Sequence, residues 1–353
     1  MKRMMIFLTG MAAFVGVVIA AVAGVPPVDF QATITSSGFM GEAGLPMLGV
    51  AGMIINRENL SSVFTGLKTI FNNTLKAEPG NWQKTTMQVP STRSGEDHVW
   101  LSRFPKFRKW IGDKTVKSIK AGKYYVKNED WETTLEVDRN DIEDDALGIY
   151  QTQASGAGEA AGELNDIISD DLKDKAFTET CMDGQFYYDT DHPVNDASVS
   201  NKGTAVLSAA TLAAAKASYG LGRQAIMGFK DEEDMPLRLV GDTLEVGPSQ
   251  ETVAKILMTA DKLQDDSPNP YKGTATVELN PAITDNRWML HVTSKTSIKP
   301  FMIQMRKSPV FVQQTGMDSD DVFNRRKFKF GAEARATGFY GFWQLSYGSD
   351  GTV

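Results

Sequence analysis

Leu147 to Leu172 reads LGIYQTQASGAGEAAGELNDIISDDL, and this stretch decides the architecture. Leu147, Tyr150, Ala154, Ala157, Ala161, Leu164, Ile168 and Leu172 recur at intervals of three or four, which places them on one helical face. The spacing predicts one long helix. Gly156, Gly158 and Gly162 lower its propensity but allow a second backbone to come close. Small residues between bulkier ends describe a packing spine rather than a catalytic helix.

Upstream of the spine the charges are sorted into blocks. Nine basic residues lie between Arg103 and Lys127, with Asp113 the sole acid. Nine acids follow between Glu129 and Asp145, with Arg139 the sole base. Ser94-Gly95, Ile111-Gly112 and Ala121-Gly122 read as turns, and Lys123–Lys127 and Thr133–Val137 as strands. The whole reads as an extended hairpin arm. Successive blocks of opposite charge suit docking of one subunit's arm on its neighbour in a fixed orientation. A solvated hairpin followed by an acidic turn explains the same order. Further upstream, Asn59, Ser61 or Ser62 is expected to cap a helix bearing Val63, Phe64, Leu67, Ile70 and Phe71, stopped by Glu78-Pro79-Gly80.

Downstream, Ala205–Tyr219 is alanine-rich and predicted helical, and a second helix is expected over Gln250–Leu263. Pro236–Val246, Ala275–Leu279 and Trp288–Val292 read as extended, so 201–291 forms a compact α/β unit. Residues 298–314 and 328–347 read as strands rich in Phe, Tyr and Trp.

The composition excludes several functional classes. With 44 acidic and 37 basic residues the formal charge is -7, so there is no overall basic footprint for nucleic acid. One cysteine, Cys181, excludes a disulfide framework and a cysteine-cluster metal site. His98, His192 and His291 are far apart and in no ligand spacing. No dinucleotide fingerprint, complete phosphate loop or nucleophile elbow is present. Gly112-Asp113-Lys114-Thr115 lacks the glycines that a phosphate loop needs. Asp189, Asp191 and His192 are read as a turn held by aspartate-to-backbone hydrogen bonds in preference to an acid–base or metal site. Asp318, Asp320 and Asp321 are read as an acidic turn, because no calcium loop surrounds them. Cys181 is read as a buried or incidental thiol. No catalytic, cofactor-binding or metal residue is therefore proposed from the sequence.

Residues 1–52 differ from the rest. From Met4 to Val28 there is no formal charge, and Lys2 and Arg3 precede the run. Its length would span a bilayer, and Ala21-Val22-Ala23 would serve as a signal-peptide cleavage site. Three readings stay open: an upstream extension outside the working protein (which would then start near Met53), a processed or assembly-related leader, and a targeting segment.

Six blocks taken together resemble the major head subunit family of Mu-like phages and prophages, from Met53 to Gly351. They are INRENLSSVFTGLKTIFNN (55–73), FPKFRKWIGDK (104–114), AGKYYVKNEDWETTLEVDRNDIEDDALGIY (121–150), CMDGQFYYDTDHPV (181–194), SIKPFMIQMRKSPVFV (297–312) and FKFGAEARATGFYGFWQLSYGS (328–349). The resemblance implies an α+β chain with the tailed-phage major capsid fold, Hong Kong 97-like. The implied layout is an apolar leader (1–52), an N-terminal arm (53–87), an extended β-hairpin loop (88–132) and a peripheral domain with the spine helix (133–200). An axial domain (201–291) and closing strands shared by the two domains (292–353) complete it. The implied function is structural, not enzymatic, with no cofactor. The subunit would self-assemble as pentamers and hexamers into an icosahedral head around double-stranded DNA, which it contacts non-specifically. Scaffold and protease, portal and decoration proteins are the other expected partners. No stable membrane partner is expected, and assembly is expected in the bacterial host cytoplasm, ending in the virion capsid. The alternatives are an encapsulin-like nanocompartment shell and, less favoured, a secreted or membrane-anchored surface protein.

Overall fold

The computed structural model describes residues 57–77, 80–98, 101, 124–143, 147–195, 197–231, 233–294, 298–316 and 319–353. Helix α1 (Arg57–Ala77) and a 3-10 turn (Trp82–Lys84) lead into strands β1 (Thr86–Pro90) and β2 (Gly95–Asp97). Strands β3 (Tyr125–Lys127) and β4 (Glu129–Asp138) precede helices α2 (Arg139–Glu143), α3 (Leu147–Gly162) and α4 (Leu164–Lys175). The short strands β5 (His192–Val194), β6 (Ala197–Val199) and β7 (Lys202–Gly203) follow. Next come α5 (Leu212–Ala215), a π turn (Lys216–Gly220), α6 (Leu221–Gly228), β8 (Thr243–Val246) and α7 (Glu251–Thr259). Strands β9 (Thr276–Leu279), β10 (Trp288–His291) and β11 (Phe301–Gln314), helix α8 (Asp320–Arg325), and strands β12 (Lys327–Tyr340) and β13 (Ser346–Ser349) complete the chain.

Two main sheets result. One has the order β1-β11-β12-β4, with β1 parallel to β11 and the other pairs antiparallel. The other has the order β7-β13-β10-β8-β9, parallel at its two outer pairs and antiparallel within.

The first sheet is shaped by alternation along β12. Phe328, Phe330, Ala332, Ala334, Ala336, Gly338 and Tyr340 fall on one face, because successive side chains point to opposite sides. Their size falls from Phe to Gly along most of the strand, and the helices sit accordingly. Phe328 and Phe330 meet Phe64 of α1 edge-on, both at centroid distances of 6.2 Å. Ala332 packs with Phe71 and Ala157, and Ala334 and Ala336 with Leu164 and Ile168. At Gly338 a Cβ would lie 2.6 Å from Leu172 Cγ, so only glycine lets α4 lie this close. The aromatic end faces α1 and the small end faces the spine.

The spine is helical on the expected face, with Tyr150, Ala154, Ala157, Leu164, Ile168 and Leu172 buried. It is two helices, not one. Glu163 interrupts it beside Gly162, the residue with the weakest helical preference at that point. The two halves stay linked, since the Glu163 N–H donates to Glu159 O at 3.0 Å and the Ile167 N–H to Glu163 O at 2.9 Å. Close backbone approach occurs at Gly158, where a Cβ would sit 2.7 Å from Phe71 O and 2.9 Å from Thr74 Cβ. Gly156 has open space instead.

Other boundaries move for physical reasons. Helix α1 starts at Arg57, so Asn59, Ser61 and Ser62 lie inside it rather than cap it. The alanine-rich segment becomes helical only at Leu212, where Thr211 Oγ1 accepts from the Ala214 N–H. Residues before it are held extended by the C-terminus, as the Val206 N–H donates to Val353 O at 2.8 Å. Helix α7 stops at Thr259 because Asn269 Nδ2 donates to the carbonyls of Leu257 and Ala260, each at 2.9 Å. Of Pro236–Val246, only Thr243–Val246 is a strand.

Candidate functional site

Five acids of the block, Glu129, Asp130, Glu132, Glu136 and Asp138, lie on β4, and three of them meet bases of the same chain. β4 pairs with β12 in a register that sets Asp138 opposite Lys327, Glu136 opposite Lys329 and Asp130 opposite Arg335. The corresponding N···O separations are 3.3, 4.0 and 2.6 Å. Glu132 and Glu333 are directly opposite each other, and Lys307 on β11 takes up Glu333 at 3.0 Å. Part of the block thus neutralises a neighbouring strand inside the subunit. The basic block from Arg103 to Lys123, including Arg108 and Lys109, lies outside the described residues, as do residues 1–52.

Where α4 meets the second sheet, the contact is ionic. Lys173 Nζ lies 2.7 Å from Glu245 Oε1, and the side chains are only 7% and 4% exposed. Asn280 Nδ2 donates to the same Glu245 oxygen and to Asp170 Oδ1, both at 2.7 Å. His291 Nε2 donates to Glu245 Oε2 at 3.1 Å. Ser346 Oγ lies 2.9 Å from His291 Nδ1 and 2.6 Å from Tyr188 Oη. A consistent proton order runs from Tyr188 to Ser346 to His291 to Glu245, with the imidazole neutral. Burial pushes Glu245 upward, but the Lys173 charge and the His291 hydrogen bond override it and hold the carboxyl well below the usual range. Burial moves His291 downward against the pull of Glu245. Arg287 extends the junction, bonding Asp174 at 2.6 Å. A cavity of about 320 Å³ opens beside it, lined by Trp82, Lys84, Asp166, Asp170 and Glu278 among others.

The segment 181–201 brings together residues that the sequence did not group. His192 is fully buried and stacks on Trp343 with centroids 4.1 Å apart and planes 9° apart. Its Nδ1 faces Asp183 Oδ2 at 2.7 Å, and its Nε2 faces Asn201 Oδ1 at 3.1 Å. Cys181 Sγ lies 3.1 Å from Asp183 Oδ1. Burial and the neighbouring Asp183 push the Cys181 thiol upward. Asp189 Oδ1 accepts from the Thr190 N–H at 2.7 Å and its Oδ2 from the Phe186 N–H at 3.2 Å, as a backbone-bonded turn requires. Trp343 was missed because it lies far along the chain from His192, and Asp183 and Asn201, each nine residues from His192, because no motif marks them. The short Cys181-Met182-Asp183 spacing was the one available signal. Asp320 and Asp321 open helix α8 rather than a turn.

A mixed two-sheet subunit with a spine helix pair across one sheet is the architecture of a tailed-phage capsid subunit. The procapsid subunit of bacteriophage JBD30 superimposes with a TM-score of 0.53 at 26% identity, over 84% of this chain and 76% of that one. The JBD30 capsid subunit gives 0.52 at 22% identity, over 65% of this chain and 99% of that one. The family model described as Mu-like prophage major head subunit gpT matches residues 60–212, 203–283 and 279–353, and the chain belongs to this family. It is 28% identical over 294 residues to the Mu-like prophage FluMu major head subunit of Haemophilus influenzae, covering 83% of this chain and 74% of that protein. It is 25% identical over 301 residues to the major capsid protein of Escherichia phage Mu, covering 85% and 76% respectively. Its role is that of a structural head-shell subunit, and its place is the virion capsid. No helix among the described residues is long and apolar enough to cross a membrane.

Proposed function

We propose that this subunit closes with its own copies, as pentamers and hexamers, into an icosahedral head that encloses double-stranded DNA. The observation that carries the reading is the family match running almost unbroken from residue 60 to residue 353, on a fold shared with a phage procapsid. The chain works through interfaces and performs no catalysis. The arm is assigned to 53–87, the hairpin loop to 88–132, the peripheral domain to 133–200, the axial domain to 201–291 and the shared closing strands to 292–353. The pairing of β12 with β4 in one sheet and of β13 with β10 in the other supports the shared closing strands. Assembly takes place in the host cytoplasm with scaffold and protease, portal and decoration proteins. The net charge of -7 limits tight binding to the packaged DNA, leaving local Lys and Arg patches to touch it non-specifically.

Arg108 and Lys109 are assigned to docking on a neighbouring subunit's surface because they stand in the basic run that precedes the acidic block in the sequence. The test is sedimentation and electron microscopy of the full chain and of the R108E/K109E variant, with far-ultraviolet circular dichroism on both. Shells from the parent, and folded but unassembled variant, are expected. Normal shell yield from the variant would remove the arm-docking role. A folded parent that never forms particles would contradict the shell itself.

A further inference from the structure

The Cys181, Asp183 and His192 cluster is not explained by assembly. Each offers one ligand atom, and the three atoms lie within 4.8 Å of one another. From their spacing and chemistry we propose that Cys181 Sγ, an Asp183 carboxylate oxygen and His192 Nδ1 bind a divalent zinc ion.

The orientation of His192 supports the choice of nitrogen. Asn201 Nδ2 donates to Tyr187 O at 2.8 Å, while its Oδ1 accepts the Asp189 N–H at 2.9 Å. The amide is therefore fixed with its oxygen toward His192. It accepts the Nε2 hydrogen, so Nδ1, which faces Asp183 Oδ2 at 2.7 Å, is the nitrogen whose proton the metal would replace. Stacking on Trp343 prevents the ring from turning away. Zinc ligands are generally held this way, with the far ring nitrogen bonded to an oxygen acceptor.

The donor set also suits the ion. One sulfur, one nitrogen and one carboxylate oxygen match a borderline-soft cation that takes four ligands. Bond lengths of about 2.0–2.3 Å place tetrahedral ligands about 3.3–3.8 Å apart. The 2.7 Å contact of Asp183 Oδ2 with His192 Nδ1 and the 3.1 Å contact of Asp183 Oδ1 with Cys181 Sγ would open by less than about an ångström as the carboxylate turns one oxygen to the ion. The Cys181–His192 separation, within 4.8 Å, would settle into the same range. Asp183 sits in a turn closed by the Gly184 N–H donating to Cys181 O at 3.1 Å, and Gly184 follows at φ 88°. Its side chain is 18% exposed, which leaves the solvent side to a water as fourth ligand. Binding forms the zinc–sulfur and zinc–nitrogen bonds as the Cys181 thiol and His192 Nδ1 each lose a proton to solvent, so affinity rises with pH. The ion would staple the 181–185 turn to β5, whose His192 stacks on Trp343.

The test uses the full chain, stripped with chelator and titrated with cobalt(II) and then zinc. Cobalt is expected to give a thiolate charge-transfer band and the visible bands of a four-coordinate site. Zinc should displace it, bind at about one per chain and raise the Tm with its concentration. Cys181→Ser, which preserves size, should abolish the charge-transfer band and lower zinc affinity at least tenfold. Asp183→Asn, a second variant for the case where Cys181→Ser fails to fold, should lower it likewise. Folded parent protein with no charge-transfer band, or zinc affinity unchanged in folded Cys181→Ser or Asp183→Asn, would overturn the proposal. Shell formation without zinc would leave the proposed function intact, so the two readings fail separately.

Discussion

The spine helices make two unlike contacts. Against α1 and the β12 sheet the contact is apolar and small-grained: Ala154, Ala157 and Gly158 against Phe71 and Thr74. Against the β8–β10 sheet it is charged: Lys173, Asp170 and Asp174 meet Glu245, Asn280 and Arg287. The first depends on volume, because a close-packed interface resists even one added methyl. The second depends on complete pairing, because a buried charge whose partner is lost keeps its desolvation cost. One junction therefore tolerates changes of charge nearby but not of size, and the other the reverse.

Breaking the ionic junction gives the largest effect. Lys173→Met leaves Glu245 buried without its cation and is expected to cost about 3–5 kcal/mol in denaturant unfolding. Replacing Lys173 and Glu245 together by Met and Leu should recover most of that loss. A double variant as unstable as the single one would show that the pair matters for more than charge balance.

Next in size is Gly158→Val, which forces α1 off α3 and should cost about 1–3 kcal/mol. Gly156→Ala, in open space on the same helix, should be neutral or slightly stabilising. Equal loss at both glycines would deny that backbone approach is specific to Gly158.

Acid should separate the two junctions as well. His291 has a folded value below its ordinary 6.5, so its contribution is complete above that pH and fades as pH falls through the folded value. Glu245 is likewise held below 4.5 and adds a second loss under stronger acid. The groups facing His291 and Glu245 are Lys173, Asp170, Asp242, Tyr188 and Ser346. Unfolding free energy should thus decline from about pH 6.5 downward. A His291→Gln variant should show a flatter decline between about pH 6.5 and 5. An unchanged slope would remove His291 from the acid response.

The smallest effect belongs to the β4–β12 ladder. Asp130 is 79% exposed and Arg335 39%, so Asp130→Ala should shift stability by less than about 1 kcal/mol, and less again in high salt.

The apolar junction was legible and the ionic one was not. Ala154, Ala157, Gly158 and Leu164 announce a helix face because the signal repeats within a few residues. Glu245, Lys173, His291 and Asn280 carry no local period, and only the folded topology gathers them. The same holds for the stacking of Trp343 on His192, which joins two distant stretches, whereas Asp183 and Asn201 stand only nine residues from His192 but in no motif. The helix ends were misplaced where distant groups set them, as Asn269 does for α7 and Val353 for the segment before Leu212. The family was legible because resemblance uses whole blocks in order, which spacing rules for single motifs do not.

The most direct measurement is a cryo-electron-microscopy reconstruction of particles formed by the full chain, with the intact mass of the subunit inside them. The account predicts a closed shell whose subunits keep α1 against Gly158 and Lys173 against Glu245, in a chain containing residues 60–353. Only dispersed or membrane-associated monomer, or a shell lacking these junctions, would contradict it.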